Sequence, residues 1–409
     1  MNEETIELLV ERLVSRINKA NEFFLIKIGE SVKKIRGLTP TQAHQLIQIL
    51  KYGGNYEEIV NEILRLTNLN IQDIDAIFNE MAKKDYAFAE QFYKYRGVEY
   101  VPYNQNKALI RQVNALASIT KQEMFNYARA TNLGYSIRDL QGNIKFVGLK
   151  EVYDRILDTA VLNVGTGVDT FDNAMSKIMK DVGGSGLKTV DYASGRSIRL
   201  DSIARMHLKG ALRTLHNEVQ KQVGEEFGAD MIEISVHEHP AEDHLVQGHQ
   251  FLIEEFNKLQ NGQQAKDLEG EVYTLDHNDD GKFRPISTMN CYHYVFYGIV
   301  GVSKPNYSKQ ELDEIIKNNE KGAIIDGKHY TNYEITQLQR SLERRIREQK
   351  DIQILAKESG NKELVKESQE RITQLTNKYK EISKISGLPT RMDRLKVAKY
   401  RRVSVAKMK

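Results

Sequence analysis

The run MIEISV, residues 231–236, sets Ile232, Ile234 and Val236 against Glu233 and Ser235. Strict alternation of apolar and polar residues is the pattern of a half-buried strand, and it marks where a helical chain turns to sheet. Two further stretches share the signal. EVYTL at 271–275 is rich in β-formers, and CYHYVFYG at 291–298 alternates His293, Val295 and Tyr297 against Tyr292, Tyr294 and Phe296. A small mixed α/β domain is therefore expected over residues 231–305.

Upstream of that domain the period lengthens. Ile6, Leu9, Leu13, Ile17, Ala20, Phe24, Ile28, Val32 and Ile35 recur at steps of three and four, one apolar stripe on a long helix that needs a partner surface. More helical segments are expected near 40–51, 56–66, 70–95 and 105–130, punctuated by KYGGN and RGVEYVPYN. A strand-like piece, GNIKFVG at 142–148, interrupts them; otherwise the first 230 residues read as helix on helix. DVGGSG at 181–186 is rich in glycine but lacks the Gly-Lys-Ser/Thr ending of a phosphate loop, so a flexible connector is expected there. A helix follows from near Leu200, with Asp201 or Ser202 as its cap.

Downstream, Ile335, Leu338, Leu342 and Ile346 share a face, ESGNK at 358–362 makes a turn, and Val365, Ile372, Leu375, Tyr379 and Ile382 share another. That is a helical hairpin or short coiled coil. The expected fold class is mainly α with a small α/β domain. Along the chain this gives helical regions at 1–104 and 105–230, the α/β domain at 231–305, the hairpin at 306–387 and a basic tail at 388–409.

At 409 residues the chain is long enough for two or three units. Its formal charge of +3 is near neutral for that length, so any case for nucleic acid rests on local patches. The start, MNEETIELLVERL, is acidic and amphipathic, and no run of about 18 apolar residues follows, so neither a secretory signal nor a membrane span is expected. Cys291 is the single cysteine, which excludes an internal disulfide and fits synthesis in a reducing compartment.

Candidate chemistry centres on SVHEHPAEDHLVQGH at 235–249 and on NCYH at 290–293. Imidazole and thiolate are preferred zinc ligands, and His237, His244 or His249, Cys291 and His293 could supply four of them if their strands are neighbours. The spacing matches no standard zinc pattern. The alternative is a set of rings satisfied by backbone and carboxylates. LDHNDDGK at 275–282 followed by MNCYH echoes His-Asn-His endonucleases, with His277 as the general base. Asp276, Asn278, Asp280 and Gly281 match the front half of a calcium loop, but Ser287 stands where the bidentate glutamate belongs and Pro285 breaks the exit helix. A polar hairpin turn at Asp280-Gly281 accounts for them better. In the tail, Arg391, Arg394, Lys396, Lys399, Arg401, Arg402, Lys407 and Lys409 face one acid, Asp393. They suit DNA phosphates, a solvated face or an acidic partner. No nucleophile elbow, paired-carboxylate motif or dinucleotide fingerprint is present, so no ordinary enzyme is expected.

Several blocks, in order, resemble the phage minor capsid protein 2 family, related to the Mu F-like head morphogenesis proteins. They are VDYASGRSIRLDSIARM, SVHEHPAEDHLVQGHQF, and NCYHYVFYGIVGVSKPNYSKQEL leading into YEITQLQRSLERRIREQK. The likeness runs from about residue 105 to the end, and more loosely over the N-terminus. The family's tyrosine and Ser-Gly-Arg element falls on Tyr192, Ser194, Gly195 and Arg196. Its two histidines before Gln-Gly fall on His237, His244, Gln247 and Gly248. Its Asn-Cys-x-His element falls on Asn290, Cys291 and His293, and its Gly-x-Ser-x-Pro on Gly301, Ser303 and Pro305. Glu242, Asp243 and Tyr292 stand where family members tend to have arginine.

The resemblance implies a low-copy, non-enzymatic component of a phage head, made in the host cytoplasm and then held in the virion. Its implied partners are the portal protein, the major capsid protein or a scaffold, and phage double-stranded DNA, with roles in head morphogenesis, DNA packaging and ejection. No cofactor is implied, zinc at the histidines being the one candidate, and no membrane. The competing readings are a metal-dependent nuclease delivered with the genome and a DNA-binding or scaffolding protein outside the virion.

Overall fold

The computed structural model describes residues 3–68, 73–139, 141–191, 194–240, 246–275, 285–288, 291 and 293–404. Its helices are α1 (Glu3–Ile35), α2 (Pro40–Tyr52), α3 (Asn55–Asn68), α4 (Asp73–Arg96), α5 (Lys107–Tyr127), α6 (Leu149–Leu162), α7 (Val168–Ser185), α8 (Leu200–Phe227), α9 (Ile253–Gln260), α10 (Lys309–Lys321), α11 (Asn332–Ser359) and α12 (Lys362–Ser386). The strands are β1 (Leu133–Arg138), β2 (Ile144–Gly148), β3 (Lys188–Val190), β4 (Ser197–Arg199), β5 (Met231–Ile234), β6 (Gln250–Leu252), β7 (Ala265–Lys266), β8 (Val272–Tyr273), β9 (Val295–Gly298), β10 (Ala323–Ile325) and β11 (Lys328–Tyr330). With 65% of the described residues helical and small antiparallel sheets among them, the protein is mainly α with a small α/β part. No helix among the described residues is long and apolar enough to cross a membrane.

These elements form two compact units, each drawn from three stretches of chain. The first holds residues 1–10, 73–122 and 205–336; the second holds 11–72, 123–204 and 337–409. Helices α1, α5, α8 and α11 each contribute to both.

In the first unit β5 is the central strand of an antiparallel sheet in the order β6-β5-β9. Ile232 pairs with Phe251 on one side and Tyr297 on the other. Ile232 and Ile234 enter a core with Phe251, Phe256, Leu259, Val246, Ile286 and Val295, roofed by the apolar side of α9. The alternation in MIEISV predicts a solvated opposite face. The structure covers it instead: Glu233 is buried, and its carboxylate accepts from the Gln250 amide at 2.7 Å and the Asn306 side-chain amide at 2.6 Å. Helix α8 lies close at Gly224, where a Cβ would stand 2.5 Å from the Tyr297 ring.

In the second unit the stripe of α1 is buried from Val14 to Ile35, and Leu25 joins it. Ile6, Leu9 and Leu13 lie outside the described side chains. Its partner surface is α11: a Cβ on Gly29 would sit 2.7 Å from the Glu358 Cβ, so only glycine permits this approach. A four-stranded antiparallel sheet, β2-β1-β3-β4, stands where the sequence shows only GNIKFVG. β3 and β4 are three residues each, too short to show a period. β1 carries Gly134, whose hydrogen atoms make room for the carbonyl oxygen of Val147.

The expected flexible connector at DVGGSG is also corrected. Gly183 and Gly184 lie in the last turn of α7, and Gly183 receives the backbone of Ile352, 2.7 Å from a would-be Cβ. At the far end of α11, Gly360 takes φ +79° and the Asn361 side chain accepts from the Leu364 N–H at 3.0 Å, starting α12 and closing the hairpin.

Candidate functional site: the histidine corner and the C-terminal strap

Three of the four zinc candidates meet. His237 follows β5, Cys291 and His293 precede β9, and antiparallel pairing of those strands brings the segments side by side. The His237 and His293 ring centroids are 4.4 Å apart, and Cys291 Sγ lies 3.4 Å from His293 Nδ1. His244, like the candidate base His277, lies outside the described residues, as do Asn290, Tyr192 and the Asp276 to Gly281 loop. Among the described residues no three His, Cys, Asp or Glu side chains are disposed to hold a metal ion. His249 belongs to another cluster: its Nδ1 faces Asp267 Oδ2 at 2.9 Å and its Nε2 faces the Tyr273 hydroxyl at 3.0 Å.

What knits the corner is Gln247, which is 3% exposed. Its Oε1 accepts from the His237 N–H at 2.9 Å, its Nε2 donates to the His237 carbonyl at 3.3 Å, and His293 Nε2 lies 3.4 Å from that same Oε1. Because the amide oxygen only accepts, His293 carries its proton on Nε2, leaving Nδ1 to accept from the Cys291 thiol. The thiol also receives the Ser287 N–H at 3.2 Å, and Ser287 Oγ donates to the His293 carbonyl at 2.5 Å. Ser287 takes φ +63°, a conformation uncommon for a serine. The Cys291 carbonyl accepts from the Arg213 guanidinium of α8. Arg213 and Ser287 carried no sequence signal, since a helix face and a turn bring them in from 78 and four residues away.

The remaining motif positions shape backbone. Gly248 takes φ +77°, and a Cβ there would lie 2.4 Å from a Leu312 methyl and 2.9 Å from Val236. Ser303 Oγ accepts the Ile299 N–H at 2.9 Å, holding the turn at Gly301 that leads to Asn306 over Glu233. Ser194, Gly195 and Arg196 form the β3-β4 turn of the second unit, with Ser194 Oγ donating to Asp191 at 2.6 Å. They belong to the second unit, the histidines to the first.

Comparison with known proteins places these ordered blocks in one family. The phage minor capsid protein 2 family matches residues 1–382. The chain belongs to that family. No curated protein and no solved structure matches. The family match takes in the whole helical N-terminus, further than the blocks from residue 105 indicate, and ends before the basic segment begins at Leu388.

In this member of the family the basic segment, over residues 388–404, is a strap within the second unit. The Arg391 N–H donates to the Tyr379 hydroxyl at 2.8 Å, Leu395 is buried, and the Arg347 guanidinium and Lys350 ammonium donate to the carbonyls of Arg394 and Leu395. The buried carboxylate of Glu22 accepts the N–H groups of Ala398 and Lys399 at 2.9 and 2.8 Å. Gln369 Oε1 accepts the Tyr400 hydroxyl and the Val403 N–H, both at 3.0 Å. Arg394 reaches Glu343 at 3.9 Å, whereas Arg391, Lys396, Lys399, Arg401 and Arg402 are exposed.

Beneath the strap lies a buried polar network. Asn21 accepts from the Tyr135 hydroxyl and the Leu187 N–H and donates to Asp351 at 3.1 Å. Arg199 lies 3.1 Å from Asp201 and 3.6 Å from Asp351. Burial pushes the Asp351 carboxyl up to about 7 despite Arg199, and pushes Lys350 down to about 8. It raises Glu22 as well.

Proposed function

We propose that the protein is a minor structural component of a tailed-phage head, seated at the portal or on the inner capsid, and that it assists head morphogenesis and DNA packaging or delivery. The match of the minor capsid protein 2 family over residues 1–382 carries the reading. The histidine corner fits a structural role: Gln247 holds the His237 backbone and meets the His293 ring, and Cys291 bonds to His293. Such a network fixes the β5 and β9 ends and so shapes a docking domain.

Mass spectrometry of purified particles tests the proposal. The protein should be present at a few copies per portal ring and should co-purify with portal complexes. Its absence from particles would defeat the reading and favour a role outside the virion. Cleavage of plasmid DNA with magnesium, manganese or zinc, abolished by His277→Ala, would instead establish the nuclease.

A further inference from the structure

The near-neutral total conceals a partition of charge. Summed by unit, the second carries 39 Lys and Arg against 25 Asp and Glu, a net of +14. The first carries 20 against 31, a net of −11. The excess of the second unit is concentrated after residue 336, where 20 basic residues meet nine acidic ones. An imbalance of this size over one compact unit sets up a field that attracts polyanions, while the first unit repels them.

The strap turns that field into a defined surface. Its backbone is held by Glu22, Gln369, Tyr379, Arg347 and Lys350, so its exposed cations stand on a fixed path. Among the described residues no ion pair engages Lys396, Arg401 or Arg402, while the Lys399 charge also acts on the Glu22 carboxylate. Between the strap and α12 runs an open groove of about 670 Å³, lined by Gln374, Arg402 and Ser404 as donors, by Thr373, whose hydroxyl donates to the Gln369 carbonyl, and by Glu370 as the one acid.

We propose that this strap and groove are a phosphate-backbone clamp for double-stranded DNA, without sequence preference, and that the acidic first unit takes no part in DNA contact. Cations on a fixed backbone suit phosphates, which are regularly spaced and identical at every base pair; the strap offers no ladder of aromatic rings for stacking unpaired bases. The inference rests on the reading of the protein as a head component. That reading is tested in particles, and this one on purified protein, so either can fail alone.

The experiment uses the full-length chain and a 30-base-pair duplex, with affinity followed by fluorescence anisotropy from 50 to 200 mM salt. One variant carries Lys396→Glu, Lys399→Glu and Arg402→Glu. A control carries the same charge change in the first unit, as Lys304→Glu, Lys317→Glu and Lys321→Glu. A third, Lys396→Gln, Lys399→Gln and Arg402→Gln, guards against the strap being driven off Glu22 by new acid. The strap variants should lose at least tenfold in affinity, and the slope of log affinity against log salt should fall by about 2.7, roughly 0.9 for each lost phosphate contact. The control should keep the parent slope. Equal losses in strap and control variants would make net charge the only determinant and overturn the clamp, as would an unchanged slope in the glutamine variant.

Discussion

At the scale of single residues, two glycines of the family motifs separate what a conformation costs from what a contact costs. Gly301 takes φ +76° with open space around its missing Cβ, while Gly248 takes φ +77° with Leu312 and Val236 inside van der Waals range. Gly301→Ala should therefore cost about 1 kcal/mol, the penalty of a left-handed alanine. Gly248→Ala should cost that plus overpacking, about 2–4 kcal/mol in all. Urea denaturation of both variants measures the gap, and equal midpoints would mean that Leu312 gives way freely. Gln247 allows a second test. Removing its amide in Gln247→Ala leaves two backbone groups of His237 and the His293 ring without that partner, at about 1–3 kcal/mol for each group that water cannot reach. Cys291, the single cysteine and buried, then reports the opening: its labelling by a thiol reagent should accelerate at least tenfold over the parent. Labelling at the parent rate would show that the corner does not depend on Gln247.

The Gln-Gly pair was legible in the sequence only through the family resemblance. Neither the amide's three contacts nor the approach of Leu312 leaves a trace in local spacing. Glu233 shows the same limit from the other side. Alternation placed it toward water, yet the turn at 301–306, some 70 residues on, covers it, and no pattern within MIEISV could announce that.

At the scale of elements, periodicity was a good guide wherever an element is long. The described part of the α1 stripe and the two faces of the hairpin are buried as their steps of three and four predict, with Leu338 half-buried. What the steps could not name is the partner, since Gly29 meets Glu358 across more than 300 residues. The charge run after Leu388 reads locally as a free tail, and the anchors that make it a strap are the N–H groups of Ala398, Lys399 and Val403, which any sequence possesses. Glu22 is the anchor most open to test. Its carboxylate takes two N–H groups in a buried setting, each such bond contributing about 1.5–3 kcal/mol. Glu22→Ala should therefore release the strap while leaving the helices in place. Limited trypsin digestion should cut at Lys396 to Arg402 at least tenfold faster, with far-UV circular dichroism unchanged. A parent-like cleavage rate would mean that Gln369, Arg347 and Lys350 hold the strap without Glu22.

At the scale of the whole molecule, the near-neutral total hides a partition of charge between consecutive stretches. Residues 205–336 carry 13 Lys and Arg against 22 Asp and Glu, and residues 337–409 carry 20 against nine, so the full-chain sum cancels what these stretches show. The second unit also encloses charge, and this sets how its stability follows pH. Asp351 is surrounded by Asn21 on α1, Arg199 at the end of β4, Asp201 at the start of α8, Arg347 on its own helix, and Glu22 nearby. Burial holds its carboxyl at about 7, against about 3.9 in an unfolded chain. Between those values the folded protein keeps a proton that the unfolded chain has released. The contribution of Asp351 is thus fully present below about pH 4 and is lost as pH rises through about 7. With about 1.4 kcal/mol for each pH unit between the two values, the loss is on the order of 4 kcal/mol. Asp351→Asn keeps the shape and the bond to Asn21 without a titrating proton. Thermal melts of parent and variant from pH 4 to 8 should converge at the acid end and separate toward neutrality, the variant being the more stable. A constant difference between them across that range would show that the carboxyl is already ionised at pH 4, with Arg199 rather than burial governing the centre of the unit.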